Sequence, residues 1–123
     1  MANIAVVEDS AATIDMLKTI LQSAGHSVVA YTNANSANEQ IQMQEPDLIL
    51  LDIVMPEKNG YEIIRALKRN DKTKHIPVII ISTKSEETDI KWGLRQGAVE
   101  YITKPFKSQQ IIKAVDKHLA VRA

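Results

Sequence analysis

The runs LILL at 48–51 and VIII at 78–81 are apolar at every position and rich in β-branched side chains. Successive side chains of a strand point to opposite faces, so a strand that is apolar throughout needs cover on both sides. Three further stretches of strand character, Ile4 to Val7, His26 to Tyr31 and Glu100 to Thr103, make a set of five. Apolar residues recur between and after them at helical spacing. The stripes are Ile14, Leu17, Ile20, Leu21 and Ala24; a weaker one of Ala34, Ala37 and Ile41; then Ile63, Ile64 and Leu67; and finally Ile111, Ile112, Val115 and Leu119. Strict alternation of strand and helix predicts an α/β fold, a doubly wound five-stranded parallel sheet with five helices on its two faces.

The punctuation agrees. Ser10 is placed to cap the first helix, Gly25 and Gly97 fall where helices should end, and Pro46, Pro77 and Pro105 stand at junctions. No linker or repeat interrupts the pattern, and 123 residues suit one domain with one core, here 1–123. Lys plus Arg and Asp plus Glu both number fifteen, which gives no electrostatic footing for nucleic acid or an anionic membrane. Cysteine is absent, so disulfides, thiolate metal sites and thiol nucleophiles are excluded. The opening MANIAVVEDS has neither a basic start nor a long apolar stretch, so the expected location is cytoplasmic, with no membrane insertion.

A carboxylate directly after a buried strand is costly unless something meets it. Asp52 follows LILL, and Glu8 and Asp9 follow the first strand in VVEDS. In an open parallel sheet ligands bind beyond the carboxyl ends of strands, where the strand order reverses. In the common order 2-1-3-4-5 that point lies between the first and third strands, so these three acids should converge. Together they would repel one another unless a divalent cation sat among them, and hard oxygen donors favour Mg²⁺. Ser82 ends the fourth strand with a hydroxyl, and Lys104 ends the fifth with a mobile ammonium. A cation, a hydroxyl and an ammonium around one carboxylate suit phosphoryl transfer, with Asp52 as acceptor.

The fragments VVEDS, LLDIVMPEKNG, PVIIIST and GAVEYITKPF, in this order, resemble the receiver domains of two-component response regulators, a flavodoxin-like fold. The likeness runs along essentially the whole chain and is nearest to the stand-alone type used in chemotaxis and pilus motility. It implies phosphorylation of Asp52 by the phosphohistidine of a sensor histidine kinase or phosphotransfer protein. It implies Mg²⁺ held by Asp9, Asp52 and the backbone carbonyl of Val54, with Glu8 acting through a bound water; the family more often has Asp at that place. It further implies a cis bond before Pro105, Lys104 paired with Asp52, and Gly60 as a loop-ending glycine where positive φ is easily adopted.

In the family, the hydroxyl at the Ser82 position moves toward the phosphoryl group and an aromatic on the fifth strand, here Tyr101, turns inward. The resulting surface would include Lys84, Ile90, Lys91, Trp92, Tyr101 and Lys117 and would bind a target protein, with the chain expected to be a monomer. Helical spacing puts Ile90, Gly93, Leu94 and Gly97 on one packed face and leaves Trp92 at its flank, while Gly93 points to close packing or local mobility. His26, His75 and His118 share no ligand spacing and are expected to be solvated. The stretch WGLRQGA at 92–98 is similar to regulators of type IV pilus motility.

Other functions fit less well. A flavodoxin-like nucleotide or flavin binder needs a phosphate loop after the first strand, where EDSAAT brings acids instead. A phosphatase with an aspartyl nucleophile needs a general acid beside Asp52, and none is evident. A receiver-shaped scaffold that is never phosphorylated stays open, although all the expected site residues are present. The chain is therefore not expected to be an enzyme beyond catalysing its own phosphorylation and dephosphorylation.

Overall fold

The computed structural model describes residues 2–55 and 60–122. The PEKN segment of LLDIVMPEKNG, 56–59, lies outside the described residues. In chain order the elements are β1 (Asn3–Val7), α1 (Ala11–Ser23), β2 (Ser27–Tyr31), α2 (Ala34–Gln44), β3 (Leu48–Leu51), α3 (Gly60–Arg69), β4 (Val78–Ser82), α4 (Glu87–Arg95), β5 (Glu100–Thr103) and α5 (Ser108–Arg122). The strands form one parallel sheet in the order β2-β1-β3-β4-β5, as the sequence pattern predicts. LILL and VIIIS are buried at every position.

Each face of the sheet has its own core. Ile4, Val6, Leu48, Leu50, Ile79 and Ile81 pack with α1 and α5 through Leu17, Leu21, Ile111 and Val115. Ala5, Val7, Ile49, Leu51, Val78 and Ile80 pack with α2 and α3 through Ala37, Ile41, Ile63, Ile64 and Leu67. Each large aliphatic buried this way contributes about 1.5–3 kcal/mol, so the period-two division of the strands, more than any cap or ion pair, sets the fold. Among the described residues no helix is long and apolar enough to cross a membrane.

The helix ends follow the sequence signals. The Ser10 hydroxyl accepts a hydrogen bond from the Thr13 amide at 3.3 Å, and Gly25 and Gly97 adopt φ of +91° and +121°. Ala24, expected in the apolar stripe of α1, is instead its exposed C-terminal cap. Gly60 also differs from expectation, since positive φ is not what it supplies. Its amide bonds the Ile53 carbonyl at 3.1 Å, and a Cβ at this position would overlap the Ile53 Cα, so close approach is what demands glycine.

Helix α4 departs from the expected packed face. Gly93 is buried, but Leu94 is 42% exposed. The helix docks at Gly93, where a Cβ would lie 2.7 Å from Ile80 Cδ1 and 3.0 Å from the Tyr101 ring. The next residue is turned about 100° from that contact and faces outward. The histidines divide as well. His75 is exposed, whereas His26 Nδ1 accepts a bond from the Ala2 amide at 3.3 Å. His118 is not solvated but pairs with Glu100 on β5 at 2.8 Å, joining α5 to the sheet.

Candidate functional site

Backbone ladders run one residue past the strands and so fix the side chains at their ends. The Asp52 amide bonds the Val7 carbonyl at 2.9 Å, the Glu8 amide bonds Tyr31 at 3.1 Å, and the Lys104 amide bonds Ser82 at 2.8 Å. Glu8, Asp52, Ser82 and Lys104 are thereby gathered along one edge of the sheet. The peptide bond between Lys104 and Pro105 is cis, as the resemblance implies.

The carboxylates of Glu8, Asp9 and Asp52 each offer an oxygen within 4.8 Å of the others. Asp9 is exposed, while Glu8 and Asp52 are 2% and 6% exposed. Asp52 Oδ1 accepts the Val54 amide at 2.9 Å, and Oδ2 accepts Lys104 Nζ at 3.0 Å. Lys104 Nζ also reaches Glu8 Oε1 at 2.6 Å, a partner that strand-end placement alone does not reveal. Glu8 Oε2 accepts the amides of Asp9 and Ser10 at 3.0 and 3.2 Å.

The charges in this pocket do not cancel. Burial raises the Glu8 carboxyl above its ordinary value; the bond from Lys104 opposes this and the Asp52 charge reinforces it. For Lys104, burial works against the ammonium, yet the bonds to Glu8 and Asp52 and the charges of both override it and hold its pKa above the ordinary lysine value. Among the described residues, one ammonium between buried acids leaves surplus negative charge, a setting in which a further cation is stabilised.

Ser82 is fully buried, and its hydroxyl accepts the Lys84 amide at 3.2 Å. Tyr101 is half-buried and donates its hydroxyl to the Lys84 carbonyl at 2.7 Å, so β5 is tied to the loop after β4. Burial pushes the Tyr101 phenol up to about 12, with neighbouring Ser82 opposing the shift. Lys84, Lys91 and Lys117 are exposed and Ile90 is half-buried. Lys91 forms a solvent-exposed i,i+4 pair with Glu87 at 3.1 Å, which contributes little.

Trp92 is 46% exposed, yet it belongs to the flank of α4 that faces α3. Its ring meets Tyr61 edge to face, with centroids 6.4 Å apart and planes at 83°. Tyr61, which the sequence reading did not single out, is buried and donates its hydroxyl to the Asp89 carbonyl of α4 at 3.4 Å. An aromatic directly after the loop-ending Gly60 was the available signal.

The chain is similar to known proteins along nearly its whole length. The family model described as response regulator receiver domain matches residues 4–116. Over 120 residues the chain is 40% identical to Protein PilH of Pseudomonas aeruginosa, covering 98% of this chain and 99% of PilH. It is 39% identical over 123 residues to the phosphate regulon transcriptional regulatory protein PhoB of Escherichia coli. That alignment covers 98% of this chain and 54% of PhoB, so the chain spans about half of that relative. Among solved structures, a putative response regulator from Chloroflexus aurantiacus matches with a TM-score of 0.92 at 26% identity, covering 97% of this chain and 98% of that one. The chemotaxis protein CheY4 of Vibrio cholerae matches with a TM-score of 0.88 at 26% identity, covering 95% and 98%.

Proposed function

The chain belongs to the response regulator receiver domain family, and from that membership we propose that it is a single receiver domain in which Asp52 accepts a phosphoryl group. The observation that carries this reading is the Asp52 carboxylate, buried and fixed at the end of β3 between the Val54 amide and Lys104 Nζ, with Glu8 and Asp9 alongside. One Asp52 oxygen attacks the phosphorus of a phosphohistidine on a sensor histidine kinase or phosphotransfer protein. The phosphorus–nitrogen bond breaks, its electron pair returns to the imidazole, and an acyl phosphate remains on Asp52. Lys104, already 3.0 Å from Oδ2, stays beside the new oxygens and offsets their charge.

The acids fit a divalent cation: every donor is a hard oxygen, and the surplus negative charge is what such an ion relieves. Asp9, Asp52 and the Val54 carbonyl would hold Mg²⁺ directly. Glu8, whose oxygens accept from Lys104 and from the amides of Asp9 and Ser10, would act through a bound water, as the family resemblance implies. When bound, the ion supplies positive charge against the phosphoryl oxygens.

Phosphorylation adds nearly two negative charges and new acceptors where one carboxylate stood. The Ser82 hydroxyl, now accepting from Lys84, has its own proton to donate to a phosphoryl oxygen. That change, passed to Tyr101 through the Lys84 carbonyl, shifts the population of the surface around Lys84, Ile90, Tyr101 and Lys117 toward a target-binding form. The chain is a cytoplasmic signalling module without nucleic-acid contact or turnover of an external substrate. Its target is a motility protein of the pilus or chemotaxis class, a reading supported by near full-length likeness to PilH and by WGLRQGA.

Incubation with acetyl phosphate and Mg²⁺ followed by intact mass tests the reading. The native chain gains one phosphoryl group and Asp52→Asn gains none. No gain in the native chain would leave the unphosphorylated scaffold standing instead.

A further inference from the structure

Tyr61 directly follows the residue at one end of a path that Ser82 and Tyr101 do not use, and its side chain touches the other end. At the near end, Asp52 Oδ1 binds the Val54 amide, so the carboxylate holds the 53–54 backbone directly. Gly60 is clamped on that same backbone by its bond to the Ile53 carbonyl and by a contact that admits no Cβ. At the far end, the buried Tyr61 side chain meets α4 twice, through its hydroxyl on the Asp89 carbonyl and its ring edge on Trp92.

Helix α4 is the element such a path can move. Among its described residues only Gly93 is buried, Ile90 is half-buried, and Trp92 and Leu94 are exposed. An element held by so few buried contacts opens or shifts more easily than the rest of the fold. An edge-to-face aromatic pair depends on position and angle, so a small displacement of the first turn of α3 alters what Trp92 meets.

We propose that Tyr61 is a positioning residue that carries the state of Asp52 to the α3-facing flank of α4, independently of the Ser82 and Tyr101 route. The proposal rests on Asp52 as the phosphoacceptor. Phosphorylation changes the acceptor that the Val54 amide sees; Ile53 adjusts, Gly60 follows because it is clamped there, and the Tyr61 ring turns against Trp92.

Trp92 is the sole tryptophan, so its emission reads this flank. The native chain, Tyr61→Phe, Tyr61→Leu and Tyr101→Phe are each treated with acetyl phosphate and Mg²⁺. Emission is read as the change per phosphorylated chain, with the phosphorylated fraction taken from intact mass and deuterium uptake followed across 87–95. The native chain, Tyr61→Phe and Tyr101→Phe respond alike, since the ring edge is kept in each. Tyr61→Leu gains the same mass but responds at least about fivefold less in emission, the low end of typical coupling factors between sites, and shows a smaller uptake change in α4, the remainder being what the Ser82 and Tyr101 route supplies. A full response in Tyr61→Leu, its loss in Tyr101→Phe, or an unchanged Trp92 in a fully phosphorylated native chain overturns the proposal. Failure of the native chain to gain mass instead sinks the phosphoacceptor reading, so the two failures are told apart in one sample.

Discussion

Lys104 stands between Glu8 at 2.6 Å and Asp52 at 3.0 Å, and one cation cannot neutralise two buried anions. Burial above all, reinforced by the Asp52 charge, makes the folded protein hold a proton on Glu8 more tightly than the unfolded chain, whose value is near the ordinary 4.5. Stability falls as pH rises from there through the higher folded value, because the unfolded state binds fewer protons across that window. Glu8→Gln removes this dependence. In urea unfolding with EDTA present, the stability of Glu8→Gln relative to the native chain should increase with pH through the window and level off above it. A difference that stays flat or falls would show that Glu8 is no strained acid. Lys104 has the same sense in a higher window: its pKa is raised above 10.5, so its contribution is complete below that value and is lost as pH climbs through the folded one. Asp9, Asp52 and Lys104 were readable from sequence because strand ends alone place them. The double engagement of Glu8 was not, since its geometry depends on a lysine 96 positions away and on the first amides of α1.

At the level of elements, the strands were the most legible because LILL and VIII carry their burial in composition, whichever face is considered. Helix faces were less so. The spacing of Ile90, Gly93 and Leu94 fits more than one packed stripe, and the choice fell to the depth at which Gly93 sits on Ile80 and Tyr101, leaving Leu94 outside. His118 likewise reads as a solvated residue of a late helix until β5 brings Glu100 to it. Gly60 shows how one residue type supports two arguments, positive φ or close approach, that only the backbone can separate. Close approach predicts the cost of replacement. Gly60→Ala gains at most about 1 kcal/mol of helix propensity at this first position of α3, but its Cβ meets backbone that cannot swing aside, and forced overpacking costs typically 1–3 kcal/mol. With the obstacle a main-chain atom, the upper end applies, and denaturant titration should show a net loss on the order of 2 kcal/mol. A more stable variant would mean that the turn at Ile53 yields freely.

For the molecule as a whole, the strand order decides where chemistry occurs, since it draws residues 8, 52, 82 and 104 from four strands to one edge. The same order explains why the site was legible while its outputs were only partly so: strand ends are fixed by ladders, but the routes leaving them run through helix side chains such as Tyr61 and Trp92. The positions two past Asp52 and Ser82 overlook that edge. The Val54 amide binds Asp52 and the Lys84 amide binds Ser82, so each backbone is held at the site while its side chain is exposed. Loss of the phosphoryl group requires a water aligned behind the phosphorus. The isopropyl group of Val54, 45% exposed, can neither donate to nor accept from that water. The Lys84 ammonium donates but cannot accept a proton from it. Both features favour a long-lived mark. An amide at position 54 would supply the missing acceptor, so Val54→Asn should release phosphate on the order of tenfold faster, less than a true general base provides. Once acetyl phosphate is removed, a time course of intact mass in constant Mg²⁺ measures this directly. Release from the native chain as fast as from Val54→Asn would mean that water is oriented by other groups and that Val54 does not set the lifetime.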